Sequence, residues 1–204
     1  MKKFPGFALL VILLSFSGCL NTFYPIVTAD NLVSDKNIHG EWLFENEKLI
    51  ISSADKTAFN GSGLSQFSDK ALIVKGINDS GQEEFRNLAF LVKIGNYFFL
   101  DMFPVYTEEE MKMDPLFKSL FLKQHTVYKV DSFQTGSILN MQRVSDKLIM
   151  EQIDQKKIRI PMITRSDGSV ILAQTEELQM HIRKYADNPV FYEKDQAQSY
   201  HKSK

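Results

Sequence analysis

The chain has 204 residues, 44% of them hydrophobic, 24% charged and 12% aromatic, with one cysteine and a formal net charge of -1. It is too short for two full-sized domains once a leader is removed, too apolar for disorder and too balanced in charge for a nucleic-acid binder. A single cysteine excludes an internal disulfide framework and a cysteine-rich zinc site.

Lys2 and Lys3 form a positive start, and Phe7 to Leu14 is an almost unbroken apolar run. A permanent membrane-spanning helix needs roughly 20 such residues, so the run suits the core of a secretory signal instead. Small residues Ser17 and Gly18 follow, and then the cysteine. Phe16-Ser17-Gly18-Cys19 resembles a bacterial lipobox, with Phe16 standing where that motif usually holds an aliphatic residue. This predicts a signal peptide over 1–18, removed as Cys19 is lipidated and becomes the mature N-terminus. Stable attachment needs two or more acyl chains, which such lipidation supplies. Leu20, rather than aspartate, after the cysteine resembles the sorting pattern for export to an outer membrane. The mature chain of 186 residues would keep 22 basic and 25 acidic side chains, a charge of -3, so membrane association is expected from the anchor.

Residues 19–38 read as the lipidated cysteine and a tether, polar and interrupted by Pro25, docking through Phe23, Tyr24 and Ile26. Strand-like segments follow at Gly40–Glu45, Lys48–Ser53, Lys70–Ile77, Glu84–Ile94 and Tyr97–Phe103. Leu88, Phe90, Val92 and Ile94 share one face by the period-two rule. Gly95-Asn96 is a tight-hairpin pair, and Asn78-Asp79-Ser80-Gly81 makes a similar reversal. Asn60–Gln66 is Gly/Ser-rich and reads as a loop. The middle departs from this pattern. Thr107 to Glu110 has capping-box spacing, and Asp114-Pro115 marks a second helix start, with Leu116, Phe117, Leu120 and Phe121 on one side.

Strands resume at Thr126–Asp131 and Ser137–Arg143, and Ser145 is placed to cap a helix near Asp146–Gln155. A hairpin, Lys157–Thr164 to Ser169–Ala173, turns at Ser166-Asp167-Gly168, with Pro161 demanding an edge or bulge. A last helix is predicted over Glu176–Ala186 with Thr175 as its cap. Residues 189–204 read as a polar tail that frays. The sum is a mainly β chain, about nine strands in an antiparallel meander, a form that removes its edges by closing into a barrel. The barrel domain with its C-terminal helix is expected over 39–188.

Gly40-Glu41-Trp42, at the opening of that meander, resembles the Gly-x-Trp signature of lipocalins and their relatives. Leu91–Gly95 with Phe98–Pro104, His125-Thr126 and Val170–Gln179 are similar to an uncharacterised group of bacterial lipocalin-like lipoproteins. The resemblance spans about residues 24–188. It implies a tryptophan plugging the closed end of a barrel, and a small apolar ligand in the mouth. Fold alone does not fix function.

Chemistry-bearing motifs are sparse. His39, His125, His181 and His201 stand far apart, without metal-ligand spacing. Asp101 shares a strand face with Tyr97, Phe99 and Phe103; if buried it becomes an acid–base or ligand-anchoring candidate, and otherwise a strand-end carboxylate bonded to a turn. Asn60 to Gly63 lacks the spacing of a nucleophile elbow and the lysine of a phosphate loop. Sixteen Phe and seven Tyr suit an apolar pocket or a packed core, and the packed core is the favoured reading. The leading expectation is a non-enzymatic, lipid-anchored envelope protein without cofactor or metal, facing the periplasm from the outer membrane. It would bind a small apolar ligand, and no nucleic acid. An assembly or interaction module with an unidentified protein partner is the alternative. A hydrolase-like enzyme would need Asp101 and His125 within hydrogen-bond reach in a shared pocket.

Overall fold

The computed structural model describes residues 21–22, 24–55, 64–105, 125–155, 162–165 and 168–203. These hold the strands β1 (Asn21–Thr22), β2 (Gly40–Phe44), β3 (Glu47–Ser53), β4 (Ala71–Ile77), β5 (Glu83–Ile94) and β6 (Tyr97–Pro104). They continue with β7 (His125–Asp131), β8 (Ile138–Val144), β9 (Met162–Arg165), β10 (Gly168–Ile171) and β11 (Tyr192–Lys202). Two α-helices are described, α1 (Lys147–Asp154) and α2 (Thr175–Tyr185).

Eight strands form a closed antiparallel barrel in the order β2-β3-β4-β5-β6-β7-β8-β11, with β11 returning to β2. The expected mainly β barrel with a C-terminal helix is therefore present, but it closes differently. Residues 189–204, expected to fray, carry the closing strand. Tyr200 points inward and is buried, while the ladder to β8 and β2 holds the polar remainder. A strand facing water on one side needs few apolar residues, so its hydrogen bonds rather than its hydrophobicity bring it in. The hairpin of β9 and β10 lies off the barrel, joined through β1 to the first residues of β7. The helices expected over 107–121, residues 60–63 of the expected Asn60–Gln66 loop, the signal segment and Cys19 lie outside the described residues, and the end of that loop enters a 3-10 turn, Ser65–Lys70.

Strand alternation sorts the buried side chains into two layers. Trp42, Leu49, Ile51, Leu72, Val74, Ala89, Leu91, Leu100, Met102, Val130, Leu139, Met141 and Tyr200 form the lumen core. One end is closed by two 3-10 turns, Lys36–Ile38 and Phe133–Thr135, whose Ile38 and Phe133 are fully buried. Trp42, fully buried there, donates from Nε1 to the Ile38 carbonyl at 2.9 Å and lies 4.9 Å from the Lys202 ammonium. Gly40 adopts φ +131°, and a Cβ at that position would stand 2.8 Å from Lys202 Cε. The glycine of the Gly-x-Trp motif is therefore required by its conformation, since the lysine tip beside it can move aside.

The face shared by Leu88, Phe90, Val92 and Ile94 lies outside the barrel wall, continued by Phe99, Phe103 and Val127. It is buried because α2 and residues 24–33 cover it with Leu178, Ile182, Ala186, Ile26, Val27 and Leu32. Residues 24–38 are thus no loose tether. Leu32 bridges Val92, the Val33 amide donates to the Leu91 carbonyl, and the Lys93 amide donates to the Asn31 carbonyl. They use the edge of β5 that β4 leaves free, since the β4–β5 pairing ends at Phe90.

Candidate functional site

Asp101 and His125 come together under this covering segment. Their strands are neighbours, with Asp101 opposite Val127 and Phe103 further along the same face. The carboxylate accepts a hydrogen bond from the Ile26 amide at 2.8 Å and a short one shared with His125 Nδ1. His125 Nε2 meets the Tyr24 carbonyl at 2.7 Å, and its ring stacks on Phe103 at 4.7 Å. Each ring nitrogen thus meets an oxygen of another residue. Both side chains are sealed from solvent.

Sequence reasoning named both residues and left Asp101 as either a buried candidate or a strand-end carboxylate bonded to a turn; it is buried, and its partners are the covering segment and a histidine from the next strand. The same segment is pinned further by α2. Thr175 donates to the Pro25 carbonyl at 2.7 Å and Gln179 to that of Ile26 at 2.9 Å. Thr175 therefore does not cap α2. Gln174 does, in a capping box with Glu177. Ser145 holds its expected place, accepting from the Lys147 amide at 3.2 Å at the start of α1.

The other histidines do not join this pair. His181 is buried on α2 beside Tyr185 and Phe191, its Nε2 without a hydrogen-bond partner. Burial, then the nearby Lys184 charge, lower its pKa to about 4. His39 is half-buried and His201 exposed. No group of three or more metal-ligating side chains occurs among the described residues.

The barrel end opposite Trp42 has a different character. Cross-strand rows climb from the closed end to the open one, and burial declines along them. Leu91 and Leu100 are fully buried, whereas Tyr128 and Arg143, next in that row, are half-buried. Trp42 and Leu49 likewise lead through Gly76 to Phe85, which is 42% exposed. The Phe85 ring lies over Gly76, in space that any Cβ would occupy. Phe44, packed on Tyr200 at 5.6 Å, adds a further aromatic wall. A cleft of about 440 Å3 opens on the rim between the β2–β3 and β4–β5 turns, with Glu45, Glu47, Asp79 and Glu84 in its lining.

Sequence reasoning missed Arg143 and Phe85. The available signal was register: both continue apolar, inward-facing positions at the end of a strand. Comparison with protein-family models, with characterised proteins and with solved structures found no match to this chain.

Proposed function

We propose that this chain is a non-enzymatic lipoprotein of the bacterial cell envelope, lipidated on Cys19 and held at the outer membrane facing the periplasm. There it takes a small apolar ligand at the barrel mouth. The observation carrying this reading is the decline in burial along the inward-facing rows, which leaves Phe44, Phe85 and Tyr128 as a partly open aromatic cup above a filled floor. An eight-stranded barrel is just wide enough either to fill itself with side chains or to hold one small ligand; this one does the first below, and the half-buried aromatics above mark where the second would sit. Asp101 and His125 support the non-enzymatic part, because their hydrogen bonds are committed to holding residues 24–26 against the wall.

Native mass spectrometry of the whole chain released from membranes tests the proposal. A reproducible added mass, lost on denaturation and identified as an apolar molecule, is the expected result. A protein that arrives bare and takes up no added apolar probe removes the ligand from the reading and favours an interaction module.

A further inference from the structure

His181 is a buried titratable group in which the pair of Asp101 and His125 has no part. It stands on α2 at 8% exposure, with its ring 4.7 Å from that of Tyr185 and 5.7 Å from that of Phe191, and its Nε2 meets no hydrogen-bond partner. The groups around it are engaged elsewhere. Lys184, one turn on, adds a positive charge that opposes protonation. Glu177, one turn back, accepts from the Gln174 amide at 3.0 Å in the capping box. Asp187 accepts from the Tyr97 hydroxyl, and Lys129 of β7 lies over the rings of Tyr97 and Tyr192. The Tyr192 hydroxyl donates to the Ala186 carbonyl at 2.7 Å, and Lys93 of β5 and Arg183 are exposed cations. A neutral imidazole donates from one nitrogen, whereas the imidazolium donates from both. Protonated in place, this ring would be a buried cation with an unanswered N–H beside an ammonium.

The helix that carries the ring can move without undoing the barrel. α2 supplies no strand to the closed ladder and lies on its outer wall through Leu178, Ile182 and Ala186. From its first turns Thr175 and Gln179 donate to the carbonyls of Pro25 and Ile26. Lifting it breaks side-chain contacts and those two bonds but no strand pairing, the condition under which a segment opens below the cost of global unfolding.

We propose that α2 is an acid-released clasp: protonation of His181 lifts the helix from the wall of β5 to β7 and frees the carbonyls of Pro25 and Ile26, while the barrel stays closed. The direction follows from linkage. Burial, then Lys184, hold the imidazole pKa at about 4 in the closed form, and in the lifted helix it returns to 6.5. The lifted form binds the proton more tightly, so falling pH between 6.5 and 4 draws the equilibrium toward it. From pH 7 to 4.5 the open fraction should rise on the order of 50-fold. The clasp is independent of what the mouth binds.

Hydrogen exchange of the whole chain at pH 7 and pH 4.5, read as protection with the intrinsic rates divided out, tests it. Amides of Gln179 to Tyr185 should lose about 10-fold more protection than those of the β3–β4 ladder, and His181→Leu should abolish the excess. Near-UV circular dichroism confirms that the variant folds, and His181→Phe, which keeps the ring contacts, gives the same comparison if leucine disturbs the packing. A helix as protected at pH 4.5 as at pH 7 overturns the clasp. Equal loss in helix and ladder overturns it too, since the whole fold would then be opening. An excess that both variants retain places the trigger on another group and likewise overturns the assignment to His181.

Discussion

Taking the Asp101 carboxylate out of water costs several kcal/mol, and what makes its position tolerable is the Ile26 amide on one oxygen and His125 on the other. Truncating one partner strands the rest. Asp101→Ala should therefore lower stability by about 3–5 kcal/mol in urea unfolding, the usual cost of leaving a buried partner uncompensated. An apolar pair, Asp101→Leu with His125→Phe, removes the buried charge but leaves the Ile26 amide without its acceptor, so it should recover only part of that loss. His181 obeys a different rule, because it has no hydrogen-bond partner at Nε2 and is held neutral by its surroundings. Its pKa falls from 6.5 in the unfolded chain to about 4 in the fold. A base with a depressed folded pKa contributes stability that is fully present above pH 6.5 and drains away as pH falls toward 4. At 1.36 kcal/mol per unit that amounts to about 3 kcal/mol at most. Asp146 works in the opposite direction, since burial and then Glu193 raise its carboxyl pKa. The informative quantity is therefore the difference between the parent and His181→Leu, measured by urea unfolding from pH 7.5 to 4, where the variant should lose the smaller share of its stability.

Among the elements, β11 shows how weakly a polar sequence announces a strand. Its sequence, Tyr192 to Lys202, offers Tyr200 as a buried inward residue and Tyr192 as a buried outward one, and between them reads as polar chain. What makes it a strand is supplied by others: two open ladders, on β8 and β2, whose unpaired groups its backbone satisfies. Ending the chain at Phe191 should therefore abolish cooperative unfolding and yield a species that self-associates, read by near-UV circular dichroism and sedimentation. Retention of a sharp transition would show that seven strands can close alone. The same contrast explains what was legible beforehand. β5 and β6 are near-continuous apolar runs buried on both faces and turn at Gly95-Asn96, so local pattern defines them within a residue or so. Asp101 and His125 were visible as oddities of residue type, but their union depends on β6 pairing with β7 across a connection of twenty residues. No period in the sequence encodes that. Residues 24–38 read as a tether that docks through residues such as Ile26, and the docking extends further than the sequence indicates, with hydrogen bonds from the segment to β5, β6, β7 and α2.

At the scale of the whole molecule, that segment sets how the barrel would stand at a membrane. A flexible tether lets a domain wander, whereas here Ile26, Val27, Leu32 and Ile38 are buried and the backbone is tied to the wall at both ends of the covered face. Asn21 is the second residue after Cys19, and two residue steps reach at most about 7 Å. A lipid on Cys19 would therefore hold β1 and the early part of β7 close against the leaflet, with the orientation of the barrel restricted by its own first turn of chain. The physical content of this claim is resistance to local opening, because a segment protected by burial and hydrogen bonds is cut only when it detaches. A protease selective for bulky apolar residues should spare positions 26–38 of the parent under conditions in which a free tether is cleaved at once. Ile26→Asp places a charge between Asp101 and the α2 contacts. It should release the segment and bring rapid cleavage there, while the closed-end core around Trp42 keeps its near-UV signal. Equal cleavage of parent and variant would mean that the segment opens readily by itself, and the barrel would then hang from its anchor instead of being braced by it.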